Sequence, residues 1–185
     1  MMTEEQILDL VRADPWMMQV LAVARSIDLP DWMIGAGFIR SKVWDHLHDM
    51  SRNQAMTADI DLIYFDPLDT SKLTEKTHDR VLTQRLDIDW SVKNQARMHV
   101  KNNRAHPFHN TLEALSEWVE TPTSVAVKLD ENDILRLFVP HGIDDLVNLI
   151  VRPTPAFQEK PDIYKKRLRE KRWEKTWTGL RILQC

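Results

Sequence analysis

Several residues that mark common protein classes are scarce in this chain. Cysteine occurs once, at Cys185, so no disulfide within the chain and no cysteine cluster for zinc or iron–sulfur is possible. That usage suits a reducing compartment, and a cytoplasmic setting is expected. No run approaches the ~20 apolar residues of a membrane span, and the opening MMTEEQILDL carries acids where a secretory leader carries bases. The expectation is a soluble, unexported protein without a membrane partner. There is no basic excess either: 25 Lys and Arg face 28 Asp and Glu, a net charge of −3. No field over the whole molecule therefore marks a nucleic-acid binder, and any such contact is local. With 43% hydrophobic and 29% charged residues in 185, disorder and fibre are excluded and one globular domain spanning 1–185 is expected. Glycine is rare as well, and two of the four, Gly35 and Gly37, fall within three residues. So close a pair points to a tight backbone.

Apolar spacing divides the chain. Residues 3–27 place Ile7, Leu10, Val11, Met17, Met18 and Leu21 at three- and four-residue intervals, predicting one or two helices broken near Pro15 and an N-terminal helical layer over 1–30. A core over 31–155 follows. Asp31–Ile34 reads as a short strand that turns at Gly35-Ala36-Gly37 into a helix carrying Ile39, Val43 and Leu47. Ala58–Asp66 is β-branched and aromatic and stops at Pro67, which predicts a central strand. A helix over 70–86 and a strand over Ile88–Val92 come next. Asn110-Thr-Leu-Glu113 has capping-box spacing, predicting a helix through about Glu120. Val125–Val139 alternates around Asp130–Asp133 and predicts a hairpin, and Gly142–Ile150 predicts a short helix. In the segment 156–185, residues 160–175 hold eight Lys or Arg against three acids, a local net of +5 that leaves −8 for the remainder. The fold class expected is α+β, or mixed α/β: a small mixed sheet flanked by helices, with helical N- and C-terminal segments.

The chemistry is concentrated at two places. In a strand, Asp59 and Asp61 project to one face while Ile60 and Leu62 project to the other. Two neighbouring carboxylates repel unless a cation lies between them, and hard oxygen ligands suit Mg²⁺ or Mn²⁺. The alternative is a solvated edge strand, against which the apolar run Ile60-x-Leu62-Ile63-Tyr64-Phe65 argues. Gly35-Ala36-Gly37 between strand and helix would turn backbone N–H groups toward an anion, and Arg40, Ser41 and Lys42 follow at once. Cations there oppose the helix dipole, which makes sense if a phosphate neutralises both. The turn is neither a dinucleotide fingerprint, which needs a third glycine where Arg40 stands, nor a Walker loop.

Strand, Gly-x-Gly turn, helix, then Asp-x-Asp on the next strand resembles the DNA polymerase beta-like nucleotidyltransferase superfamily. More specifically, Trp32–His48, Asp59–Asp66 and Val92–His99 are similar to three signatures of a bacterial nucleotidyltransferase-like family of unassigned substrate. Glu120–Val125, Pro140–Leu146, Val151-Arg-Pro and the tail Arg167…Lys171-x-Trp173…Trp177 match its pattern in order. The resemblance implies that Gly35, Ala36 and Gly37 cradle the phosphates of a nucleoside triphosphate, that Asp59 and Asp61 are catalytic and hold Mg²⁺ or Mn²⁺, and that a nucleoside monophosphate passes to the hydroxyl of an unidentified acceptor. It also implies an acid after the tryptophan of Trp-x-Val, where this chain has Ser91. Asp89, two residues earlier and on the same strand face, is the candidate third catalytic acid. Lys93, Asn94, Gln95 and Arg97 form a polar cluster suited to a phosphate, sugar or acceptor, with a solvated helix start as the equal alternative.

Two other readings stand beside transfer. With Ser91 in place of the acid, the chain is a nucleotide- and metal-binding module of weakened turnover. Alternatively the basic tail, with Tyr164, Trp173 and Trp177 interleaved among its cations, is an RNA- or protein-binding adaptor. Nucleic acid is the less favoured partner, because such a segment more often packs its aromatics and solvates its charges. His106-x-x-His109 and the pair His46 and His48 read as surface or packing histidines, having no third ligand in view.

Overall fold

The computed structural model describes residues 2–50, 59–101 and 104–184. Helix α1, Glu4–Arg12, begins at a Thr3/Gln6 capping box. Helix α2, Pro15–Arg25, begins where Pro15 cannot continue a helix but suits a first turn, with the Asp14 carboxylate accepting from the Trp16 and Met17 N–H groups at 3.1 and 3.2 Å. Strand β1, Met33–Gly35, leads into helix α3, Gly37–Leu47. Strand β2, Ile60–Tyr64, is followed by helix α4, Lys72–Arg85, and strand β3, Trp90–Asn94. Ala58, at the start of the strand expected over 58–66, lies outside the described residues.

Three expected elements shift. The strand expected over 88–92 begins at Trp90, because α4 ends in a bend in which the Ile88 N–H bonds the Leu86 carbonyl at 2.9 Å. After the short helix α5, Met98–Lys101, helix α6, Thr111–Ser116, starts at Asn110 as its capping signal predicts but stops four residues before Glu120. The Trp118 N–H bonds back to the Leu115 carbonyl at 3.2 Å, the chain then straightens, and Glu120 bridges to Pro153. Nor does Glu113 close a capping box on Asn110; its carboxylate accepts instead from the His109 N–H at 2.7 Å and pairs with Arg104 at 2.5 Å.

The hairpin forms as its alternation predicts, with strand β4, Ala126–Leu129, against strand β5, Leu135–Phe138. Helix α7, Asp144–Val147, is shorter than the helix expected over Gly142–Ile150, since Ile150 opens a strand, and it follows Gly142, whose φ of +70° glycine adopts without strain. Strand β6, Ile150–Val151, helix α8, Pro155–Gln158, helix α9, Pro161–Lys171, and strand β7, Arg181–Ile182, complete the order.

Five strands make one mixed sheet in the order β3-β2-β1-β4-β5. Strand β1 is antiparallel to β2 and β4, while β2 and β3 are parallel, with Asp61 level with Ser91. Alternation sorts the faces. Ile34, Ile60, Leu62, Tyr64, Trp90, Val92, Val127 and Leu129 join the main core with buried residues of α1, α2 and α3. Met33, Ile63 and Ala126 lie on the other face, with Leu115 of α6 and Trp118 covering only part of it. The uncovered part of that face carries Asp61, Ser91 and Lys93.

The basic segment folds back rather than hanging free. Trp173 and Trp177 pack edge-on against Trp44 of α3, with ring centroids 5.9 and 5.1 Å away. The Trp177 indole N–H donates to Asp45 at 2.9 Å, and the Tyr164 hydroxyl donates to the Val151 and Leu183 carbonyls at 3.0 and 2.8 Å. Strand β7 pairs in parallel with β6. Among the described residues, no helix is long and apolar enough to cross a membrane.

Candidate functional site

A cleft of about 310 Å³ opens on the partly covered sheet face, lined among others by Ala36, Asp61, Ser91, Lys93, Trp118 and Arg167. One wall is built by strand alternation, since Asp61 and Ile63 on β2 and Ser91 and Lys93 on β3 are odd-numbered neighbours on one face. Asp61 sits on the floor, accepting a hydrogen bond from the Ser91 hydroxyl. Burial, and after it the nearby Asp59 carboxylate, push the acid of Asp61 up to about 6. Asp59 precedes β2 and is exposed. Asp89 precedes β3, and its carbonyl accepts from the Ile60 N–H at 2.7 Å, but its side chain is exposed and does not line the cleft. Among the described residues, no three His, Cys, Asp or Glu side chains converge as a metal-holding set. Position 91 itself, where a third acid would stand level with Asp61, carries a hydroxyl.

The turn between β1 and α3 forms the next boundary, and its three residues differ in role. A Cβ on Gly35 would meet the Trp118 ring at 2.8 Å, so this glycine is explained by indole packing. A Cβ on Gly37 would meet only Arg40 Nη2 at 3.5 Å and Ser41 Oγ at 3.8 Å, so the space over it is open toward those donors. Ala36 takes the sharp reversal at φ 50°, ψ −118°, a conformation costly to a residue with a Cβ. Its side chain caps nothing, while its N–H donates to the Val125 carbonyl at 3.0 Å.

The side chains after the turn part company. Arg40 is buried, its guanidinium 4.6 Å from the Trp173 ring centroid and 5.2 Å from that of Trp44. Among the described residues its Nε has no hydrogen-bond partner, and its Nη2 reaches Ser41 at 3.5 Å. Burial pulls its pKa down to about 10, against the attraction of Glu120. Lys42 points away from the cleft and pairs with Asp14 at 2.7 Å. The 93–97 cluster splits in the same way. Lys93 and Gln95 line the cleft. Asn94 is fully buried on the opposite side, accepting from the Asp66 and Ala96 N–H groups at 3.0 Å and donating to the Asp66 and Asp69 carbonyls at 2.7 and 2.8 Å. Arg97 forms a two-point pair with Glu75 at 2.7 and 2.5 Å. These two residues hold the β2–α4 connection in place.

The second wall comes from segments without a periodic signal: Glu117, Trp118 and Val119 after α6, Phe157 on α8 and Arg167 on α9. Arg167 Nε lies 2.7 Å from Glu120 Oε1 as an ion pair outside hydrogen-bond geometry; Glu120 is fully buried and accepts from the Thr123 hydroxyl through its other oxygen at 2.9 Å. Arg167 and Lys171, one turn apart on α9, both bring positive potential to Asp61. The order Glu120, Arg167, Lys171, Trp173 in the sequence carried that signal only as part of a resemblance.

No curated protein shows significant similarity in sequence. Solved structures do. A protein whose NMR structure reveals a CCA-adding enzyme head domain is 32% identical, with a TM-score of 0.88 over 99% of this chain and 97% of that one. A CCA-adding enzyme in complex with CTP and the Thermotoga maritima CCA-adding enzyme complexed with tRNA share the fold at 16% and 17% identity. Both give a TM-score of 0.57 over 96% of this chain, and the match covers 43% and 42% of theirs. The head domain belongs to the polymerase beta-like superfamily, in agreement with the motif order of the sequence. A nucleotidyltransferase family model matches residues 22–182, a span that takes in the turn, the acidic strand and α9, and the chain belongs to that family.

Proposed function

We propose that the cleft binds a nucleoside triphosphate and transfers its nucleoside monophosphate to an acceptor hydroxyl, with pyrophosphate leaving, and that residues 1–185 act as one unit in doing so. The observation that carries this reading is the partly buried Asp61 on the floor of the cleft that Ala36 of the turn also lines, with the Asp59 carboxylate near enough to raise its pKa. Two carboxylates and the Ser91 hydroxyl are hard oxygen donors. Burial first, and the Asp59 repulsion after it, raise the Asp61 pKa, and a divalent cation relieves both, so the residues fit Mg²⁺ or Mn²⁺. Asp59 and Asp61 would hold the ion, which when bound supplies charge neutralisation for the phosphates. The chain's own groups do the rest. N–H groups of the α3 first turn and the Arg40 guanidinium receive phosphate oxygens, Lys93 and Gln95 face the remainder of the ligand, and the Trp118 and Phe157 side chains exclude water.

A thermal-shift titration of each ribonucleoside triphosphate with Mg²⁺ or Mn²⁺ tests this directly, since a ligand of the native state raises its stability. The parent is expected to shift only when metal is present, and Asp61→Asn to lose both that shift and pyrophosphate release. Unchanged behaviour of the variant removes the assignment.

Ser91 supports a second reading, a binding module of weakened turnover, because it stands level with Asp61 where a third acid would complete the set. Under that reading, Ser91→Asp gains pyrophosphate release over the parent at equal nucleotide affinity. An active parent unaffected by the change favours transfer through two acids.

A further inference from the structure

The C-terminal helix reaches the cleft through one side chain, and that side chain is incompletely used. Arg167 lines the cleft and engages buried Glu120 through Nε. Among the described residues its two terminal nitrogens make no hydrogen bond. Its guanidinium lies 5.8 Å from the centroid of Trp173, the same ring that holds Arg40 at 4.6 Å. Two cations thus share one aromatic platform, Glu120 attracts both, and Arg167 adds to burial in lowering the Arg40 pKa. Such an arrangement stores unmet positive charge beside the carboxylates of Asp59 and Asp61.

We infer that Arg167 binds the phosphates of the triphosphate that depart as pyrophosphate, with Glu120 as the positioning residue that aims it; this rests on the nucleotidyl-transfer reading above. Arginine presents a planar fork of donors, so with Nε ion-paired to Glu120 at 2.7 Å the terminal nitrogens remain for phosphate oxygens. Because Arg167 belongs to α9, nucleotide binding and docking of the C-terminal segment are one linked equilibrium, and each stabilises the other.

The test measures the affinity of ATP, CTP, GTP and UTP, and of the matching monophosphates, with Mg²⁺ on the full chain. The variants are Arg167→Gln, Arg167→Lys and, as a control on the exposed face of α9, Lys165→Gln. Arg167→Gln is expected to weaken the best triphosphate by roughly 10- to 100-fold, the size of one lost charge-assisted hydrogen bond. Monophosphate affinity should stay at the parent value, with partial recovery in Arg167→Lys and parent behaviour in Lys165→Gln. Equal loss for tri- and monophosphate would make Arg167 merely structural, and no loss at all would remove it from the site. In the unaltered protein, hydrogen exchange adds a second readout: triphosphate slows exchange across 161–171 if the inference holds and leaves it unchanged if it does not. A parent that binds no triphosphate with metal overturns the transfer reading and this inference together, whereas a binding parent with an indifferent Arg167→Gln overturns this inference alone.

Discussion

The two walls of the cleft are made by different physics. The strand wall follows from alternation: once β2 and β3 are parallel with Asp61 level with Ser91, the facing of Asp61, Ile63, Ser91 and Lys93 is decided by the two-residue period. The opposite wall, Trp118, Phe157 and Arg167, comes from a helix that ends early, a four-residue helix and the tail. Nothing periodic positions it. It is held by single contacts such as Glu120 with Arg167 at 2.7 Å and the Thr154 hydroxyl donating to the Trp118 carbonyl at 2.6 Å. Chemistry placed by the period is robust to change elsewhere, whereas chemistry placed by contacts fails when one contact is lost.

The glycine pair at the junction of the walls tests that contrast. Gly35→Ala sets a methyl 2.8 Å from the Trp118 ring, so either the indole moves into the cleft or the β1 backbone shifts. The expected cost is about 1–3 kcal/mol, the usual range for overpacking. It should appear as a lower urea midpoint, with altered tryptophan fluorescence. Gly37→Ala meets nothing closer than 3.5 Å and leaves stability within about 0.5 kcal/mol of the parent. If phosphate lies over this turn, the added methyl instead weakens triphosphate binding. The sequence presents the two glycines as equivalent, and equal effects from both substitutions would show that they are.

Most of the fold was legible because it rests on local signals: the cap at Asn110, the break at Pro15, and the hairpin around Asp130–Asp133. The errors lie where tertiary contacts overrode those signals. The apolar stripe through Val119 reads as helix, yet the pull of Trp118 toward Gly35 and of Glu120 toward Arg167 straightens the chain after Ser116. In the candidate site, Asp61 and the turn could be read from spacing, but composition alone grouped Lys93, Asn94, Gln95 and Arg97. Applying strand alternation to β3 would have separated Lys93 and Gln95 from Asn94. Lys42 was grouped with Arg40 by proximity in sequence, although two positions on a helix turn a side chain by about 200°, and its partner is Asp14. Arg167 was beyond such reasoning, because a side chain on the last helix reaches the acid of β2 only through the complete packing of Trp44, Trp173 and Trp177.

A dependence on pH separates the strand wall from the rest of the molecule. Asp61 is raised from its ordinary 3.8 to about 6, so between these values the folded protein keeps a proton that the unfolded chain has lost. Its contribution to stability therefore falls as pH rises through that window and is constant above it. Glu113 and Asp130 have the opposite sign. Hydrogen bonds to the His109 N–H and side chain and to Arg104 lower the first despite its desolvation, and the Ile134 N–H lowers the second, so their contributions fade as pH falls. The total slope mixes the signs, but the difference between parent and Asp61→Asn isolates one of them. Urea midpoints at pH 4.5 and pH 7 should show the parent losing ground relative to the variant as pH rises, and Mg²⁺ should restore that ground at pH 7 by taking the place of the proton. A constant difference between the two proteins would mean that Asp61 is not strained in its carboxylate form, and the strand wall would then offer a cation no more than any exposed acid does.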